Sequence, residues 1–113
     1  MNILRKYLVL VIIFALTNLA YGAGGLGKSK ISKIAFQSNH IMIYGGEWNN
    51  PNSCQQINAV VLHKDDQNFE YAYTLLLAAF MAGKTVGGYS DGCVDWDGKT
   101  YNTIRGHKYL TVE

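Results

Sequence analysis

Residues 22–29, GAGGLGKS, satisfy the phosphate-loop pattern G-x-x-x-x-G-K-[ST], with Gly22, Gly27, Lys28 and Ser29 at its fixed positions. Such a loop binds phosphate only when a strand feeds it and a helix follows, so that backbone N–H groups converge on the anion. Neither neighbour fits. Upstream, MNILRKYLVLVIIFALTNLAYG places Arg5 and Lys6 before an unbroken apolar run, Tyr7 to Leu16, and then small residues up to Gly22. That is the layout of a secretory signal peptide over residues 1–22, and the run is too short for a membrane span. Cleavage after Gly22 removes the first glycine of the pattern. Downstream, KSKISKIAFQ alternates with period two, which predicts a strand where the pattern needs a helix. The glycines then read as a flexible start to the mature chain.

Cys54 and Cys93 are the only cysteines. In an exported chain an isolated pair forms a disulfide, and closing a loop of about 40 residues stabilises by roughly 3–4 kcal/mol. The alternative is a cysteine nucleophile activated by His40, His63 or His107, which an oxidising compartment disfavours. Asp91, Asp95 and Asp97 beside Gly98 raise the question of calcium. Their spacing lacks the third alternating oxygen and the distal glutamate of an EF-hand. Glu47 and Asp91 could act as paired carboxylates, but nothing in the sequence joins them. No serine–histidine–aspartate arrangement and no metal-spaced histidine pair is present. The expectation is a binding protein without catalysis, metal or cofactor.

Aromatic residues suggest what is bound. Tyr44, Trp48, Tyr89, Trp96 and Tyr101 fall at predicted strand ends or in loops, beside Asn49, Asn50, Asn52 and Asn102. Flat rings next to amides suit sugars, which present C–H faces and hydroxyl edges. Charge points the same way. The whole chain has 10 basic and 8 acidic side chains, and Arg5 and Lys6 leave with the signal. The mature charge is balanced, so nucleic acid is not the expected partner; Lys28, Lys30 and Lys33 make a local patch at most.

These residues must be positioned by one small domain, residues 23–113. After the first strand, QSN makes a turn and HIMIYGG a second strand with Ile41 and Ile43 on one face. GGEWNNPNSC is a loop, and INAVVLH a third strand buried on both sides. Asp65 or Asp66 caps a helix from about Asn68 to Ala82, stopped by Gly83. KTVGGYSD is a fourth strand, VDWDGKTYNTI a hairpin turning at Asp97-Gly98, and HKYLTVE a last strand. Mainly β with one helix between strands 3 and 4 is the order of a five-stranded OB-fold barrel, with a plain α+β sheet as the competing architecture. The helix has few polar residues after Glu70 and Thr74. Such a helix on a small monomer leaves apolar surface that a neighbouring subunit or the Gly45–Ser53 loop must cover.

The stretch YTLLLAAFMAGKTVGGY, the following GCVDW and, loosely, SKISKIAFQ resemble the receptor-binding B subunit of subtilase cytotoxin and its B-like relatives. The resemblance covers most of the mature chain. It implies an exported OB-fold protein that assembles as a homopentamer, binds sialylated cell-surface glycans and carries an A subunit. Carried over by position, the sugar-contacting serine falls near Ser29 and the contacting tyrosine at Tyr89 or Ser90. Trp96, inside GCVDW, completes the expected glycan site. Cys93 and the loop before Cys54 depart from the family pattern.

Overall fold

The computed structural model describes residues 23–113; the expected signal peptide, residues 1–22, lies outside the described residues. Among the described residues, seven strands and one helix follow one another as β1 (Gly24–Gln37), β2 (His40–Gly45), β3 (Gln56–Leu62), α1 (Phe69–Ala82), β4 (Thr85–Ser90), β5 (Cys93–Trp96), β6 (Lys99–Thr103) and β7 (Leu110–Val112). The strands form a sheet in the order β5-β6-β3-β2-β1-β4-β7. The mainly β fold with a single helix between the third and fourth strands is as expected. The five-stranded barrel is not. The sheet has seven strands and no closed barrel, and the reason lies at β4. One edge of β4 pairs with β1, and Val86, Gly87 and Gly88 pair with β7 along the other. Little edge is left for β6. Two backbone bonds at the strand ends, Arg105 N–H to Tyr89 O and Thr103 N–H to Gly92 O, both at 3.0 Å, bridge the gap.

The glycine-rich start is part of β1 rather than a flexible lead. Gly24 and Gly25 pair with Ser90 and Tyr89, and Lys28 to Lys30 pair with Gly87 to Thr85. Between them the register shifts at Gly27, whose φ of 73° and whose closeness to Asn49 leave no room for a Cβ. The strand shifts register again between Ile31 and Lys33, and its second half pairs with β2. β1 thus serves two ladders in turn.

Local signals elsewhere act as read. Ser38 and Asn39 both take positive φ and close the β1–β2 hairpin between Gln37 and His40, while Asp97 and Gly98 do the same between Trp96 and Lys99. Gly83 ends α1 in the left-handed conformation. At the other end Asn68 occupies the cap position without a side-chain cap bond; Asp66 Oδ1 instead accepts the Asn68 N–H at 2.9 Å.

Alternation along β2 and β3 splits the apolar residues between two faces. Ile41, Ile43, Val60 and Leu62 join Leu26, Trp48 and Ile104 in a core closed by Ala72, Leu76 and Ala79 of α1. Met42, Ala59, Val61 and Tyr101 form a second cluster on the other face, with Tyr44, Val94 and Trp96 packed against it. Phe80 is partly exposed; the small Ala72 and Ala79 flank Leu76 on the buried face of α1 and let the helix approach the sheet closely. Apolar surface is left over on α1, with Tyr71 82% and Met81 79% exposed. No helix among the described residues is long and apolar enough to cross a membrane. Cys54 and Cys93 form a disulfide with their Cα atoms 5.7 Å apart, which removes both from nucleophilic chemistry.

Candidate functional site

The four residues expected to contact sugar do not share a surface. Ser29, on β1, is fully buried; its hydroxyl donates to Lys30 O at 3.3 Å and accepts the Glu47 N–H at 3.2 Å. The space for it exists because residue 45 is glycine, where a Cβ would come within 2.5 Å of Ser29 Oγ. Ser90, the last residue of β4, is also fully buried. Trp96 packs on the Met42–Val61–Tyr101 cluster, on the face turned away from the core under α1. Tyr89 and Trp96 are partly exposed, on β4 and β5 respectively, while both serines are closed off. Among the other aromatics singled out, Trp48 and Tyr101 are core residues. Burial, with Tyr44 and Asp97 nearby, pushes the Tyr101 hydroxyl above its ordinary pKa. Tyr44 is covered on one side by the Lys33 ammonium, 4.1 Å from its ring centre.

The asparagines serve structure. Asn102, on β6, is buried and donates through Nδ2 to Asn50 Oδ1 at 2.8 Å. Its own Oδ1 accepts from Asn52 Nδ2 at 3.0 Å. Asn52 Nδ2 also reaches Ser90 Oγ at 2.8 Å, and Asn50 pairs with both backbone groups of Cys54 at 2.8 Å. The network therefore locks the 46–55 loop and its disulfide onto the ends of β4 and β6. Ser90 Oγ lies 3.1 Å from Thr103 Oγ1, which donates to Asp91 Oδ1 at 2.8 Å. Burial alone would raise the Asp91 pKa. Hydrogen bonds from Arg105 and Thr103, with the charge of Arg105, outweigh it and hold the carboxyl below its ordinary range.

One aromatic platform does form, between β4 and the segment before β7. The rings of Tyr89 and Tyr109 are 6.0 Å apart and tilted by 55°, with Lys108 Nζ 5.4 Å over Tyr89. Tyr109 is 48% exposed. The strand beside Tyr89 carries glycine at 24 and 25, so no neighbouring side chain on β1 covers the rings; a Cβ on Gly25 would sit 3.1 Å from Tyr109 Oη. Two tilted rings and a cation offer stacking for C–H faces and a charged partner for a carboxylate. Tyr109 and Lys108 are the residues that sequence reasoning missed. They were absorbed into the last strand, which begins only at Leu110.

A second polar feature lies at the N-terminal end of α1, a cleft of about 290 Å³ lined in part by His63, Asp66, Asp91, Arg105 and His107. Arg105 Nε donates to Asp91 Oδ1 at 2.9 Å, and the fully enclosed Asp66 carboxylate is 3.6 Å from His107 Nδ1. Asp95, Asp97 and Glu47 do not line it. No group of three metal-ligating side chains occurs among the described residues.

Comparison with family models, with curated proteins and with solved structures finds no match to this chain.

Proposed function

We propose that the chain is an exported, non-catalytic glycan-binding subunit that recognises sugar through Tyr89, Tyr109 and Lys108. The observation that carries this reading is the uncovered ring pair beside Gly24 and Gly25, with a lysine ammonium at its edge. The disulfide is compatible with an oxidising, exported compartment. The family resemblance supplies the ligand class, sialylated glycan, whose carboxylate suits Lys108. Ser29, Ser90 and Trp96 have no direct role in this version, because each is committed to packing or internal hydrogen bonds.

A shallow platform binds a single sugar weakly. Assembly as a homo-oligomer, a pentamer by the resemblance, raises avidity by about 10²–10⁴ without new contacts. The uncovered Tyr71, Leu75 and Met81 of α1 supply apolar surface for that assembly, next to a groove of about 310 Å³ between α1 and Leu110. The same surface favours a second reading, an exported interaction protein of this fold with no sugar ligand.

A glycan array probed with the assembled protein separates the two. Binding to sialylated glycans, lost in Tyr89→Ala and Tyr109→Ala, supports the sugar reading. A blank array from a disulfide-bonded oligomer favours the interaction protein. Met81→Asp should dissociate the oligomer in light scattering while leaving the subunit folded, since Met81 is exposed in it; a wild type that is already monomeric at micromolar concentration would remove the assembly claim.

A further inference from the structure

Half of the ring pair is carried by residues 104–109, between β6 and β7, which belong to no strand. This segment is held by a few specific bonds. The Ile104 N–H donates to Val61 O at 2.9 Å and the Arg105 N–H to Tyr89 O at 3.0 Å. Both backbone groups of Gly106 are then taken by residues just before α1. Its N–H donates to Asp66 Oδ2 at 3.0 Å, and its carbonyl accepts from Asn68 Nδ2 at 3.2 Å. The other carboxylate oxygen of Asp66 accepts the Asn68 N–H. One enclosed carboxylate therefore ties the platform-bearing segment to the first turn of α1. The approach is so close that a Cβ on Gly106 would lie 2.9 Å from Ala72 Cβ.

We infer that Asp66 is a positioning residue for the glycan platform: by holding Gly106 it places Lys108 and Tyr109 against Tyr89. This rests on the reading of that ring pair as the binding surface. Asp66 acts through the segment rather than on ligand. The two oxygens make a carboxylate necessary. An amide that keeps its oxygen on the Asn68 N–H turns its NH₂ toward the Gly106 N–H, donor against donor. Arg105 Nη1, at 4.0 Å, offsets the enclosed charge.

The test is Asp66→Asn in the full, disulfide-bonded chain, read three ways. These are nuclear Overhauser contacts between the Tyr89 and Tyr109 rings, amide exchange at Gly106, and titration with sialyllactose as the probe. Loss of one buried hydrogen bond should speed Gly106 exchange by about tenfold, with the Leu76 amide in mid-helix unchanged. The ring contacts should weaken and sialyllactose affinity fall by about tenfold in step. Tyr109→Ala should remove binding and leave Gly106 exchange as in wild type. Unchanged ring contacts and Gly106 exchange in Asp66→Asn would overturn the inference. So would an equal rise at Leu76, which marks general destabilisation. Should Asp66→Asn fail to fold, Asp66→Ser leaves one hydroxyl acceptor where two N–H groups were held; unchanged ring contacts and Gly106 exchange in that variant would overturn it equally. A wild type that ignores sialyllactose sinks the glycan reading, while ring contacts and exchange still decide whether Asp66 places Tyr109.

Discussion

Asn102 gives the sharpest test of the buried network, because two substitutions there separate hydrogen bonding from packing. Asn102→Ala deletes the bonds to Asn50 Oδ1 and from Asn52 Nδ2. Neither partner is orphaned by this. Asn50 Oδ1 still accepts the Cys54 N–H, and Asn52 Nδ2 still reaches Ser90 Oγ. The cost is therefore two net hydrogen bonds at about 0.5–1.5 kcal/mol each, plus lost contacts, or roughly 2–3 kcal/mol in all. Asn102→Asp keeps the shape but puts an oxygen where Nδ2 was, 2.8 Å from the Asn50 oxygen, and adds an unpaired charge in a site closed to water. That should cost about 3–5 kcal/mol. Urea unfolding of the disulfide-bonded protein at neutral pH reads both, with slopes of about 1 kcal/mol/M making the shifts several times the error. The aspartate should also partly recover in acid, since its protonated form can donate to Asn50 Oδ1. If Asn102→Asp is as stable as Asn102→Ala or better, the side chain fills space rather than bonds, and the account of the network is wrong.

Reduction, or the Cys54→Ser/Cys93→Ser pair, frees a loop spanning 39 positions and should lower stability by about 4 kcal/mol in the same assay; a loss below about 1 kcal/mol would mean that the asparagine network alone holds the loop. His40 supplies a pH dependence. Desolvation, reinforced by His63 with its ring 4.3 Å away and by Lys64, holds its pKa below the ordinary 6.5. The unfolded chain then binds the proton more readily, so this contribution is complete above pH 6.5 and declines as pH falls through that value. His40→Gln should flatten the stability profile between about pH 7 and 5; an unchanged profile would refute the assignment.

Legibility followed the range of the forces involved. The Asp97-Gly98 turn, the Gly83 stop and the apolar run of β3 are set by neighbours in sequence, and each was visible there. The glycines at 24, 25 and 27 read as a loose end because their local strand propensity is poor; a ladder to β4, far along the chain, overrides it. The open sheet was hidden for a similar reason, since it depends on β7 reaching β4 first. Ser29 and Ser90 looked like surface residues by type. Their burial depends on Gly45, Asn52 and Thr103, which the fold brings in from elsewhere. Tyr109 carried no local mark at all. Its place beside Tyr89 is set only where Asp66 and Tyr89 hold residues 104–109 from two sides.

The divided loyalty of β1 also bears on how the chain reaches this state. Its second half can zip onto β2 at once, across a two-residue turn. Its first half must wait for β4, which arrives about 60 residues later, after α1 has formed. Until then Gly24 to Lys30 is an open template beside finished structure, and the β4 of another copy could take the place first. Both cysteines lie outside that unfinished ladder, so the disulfide can close while it is still open. A strand donated between copies is the error this topology leaves open.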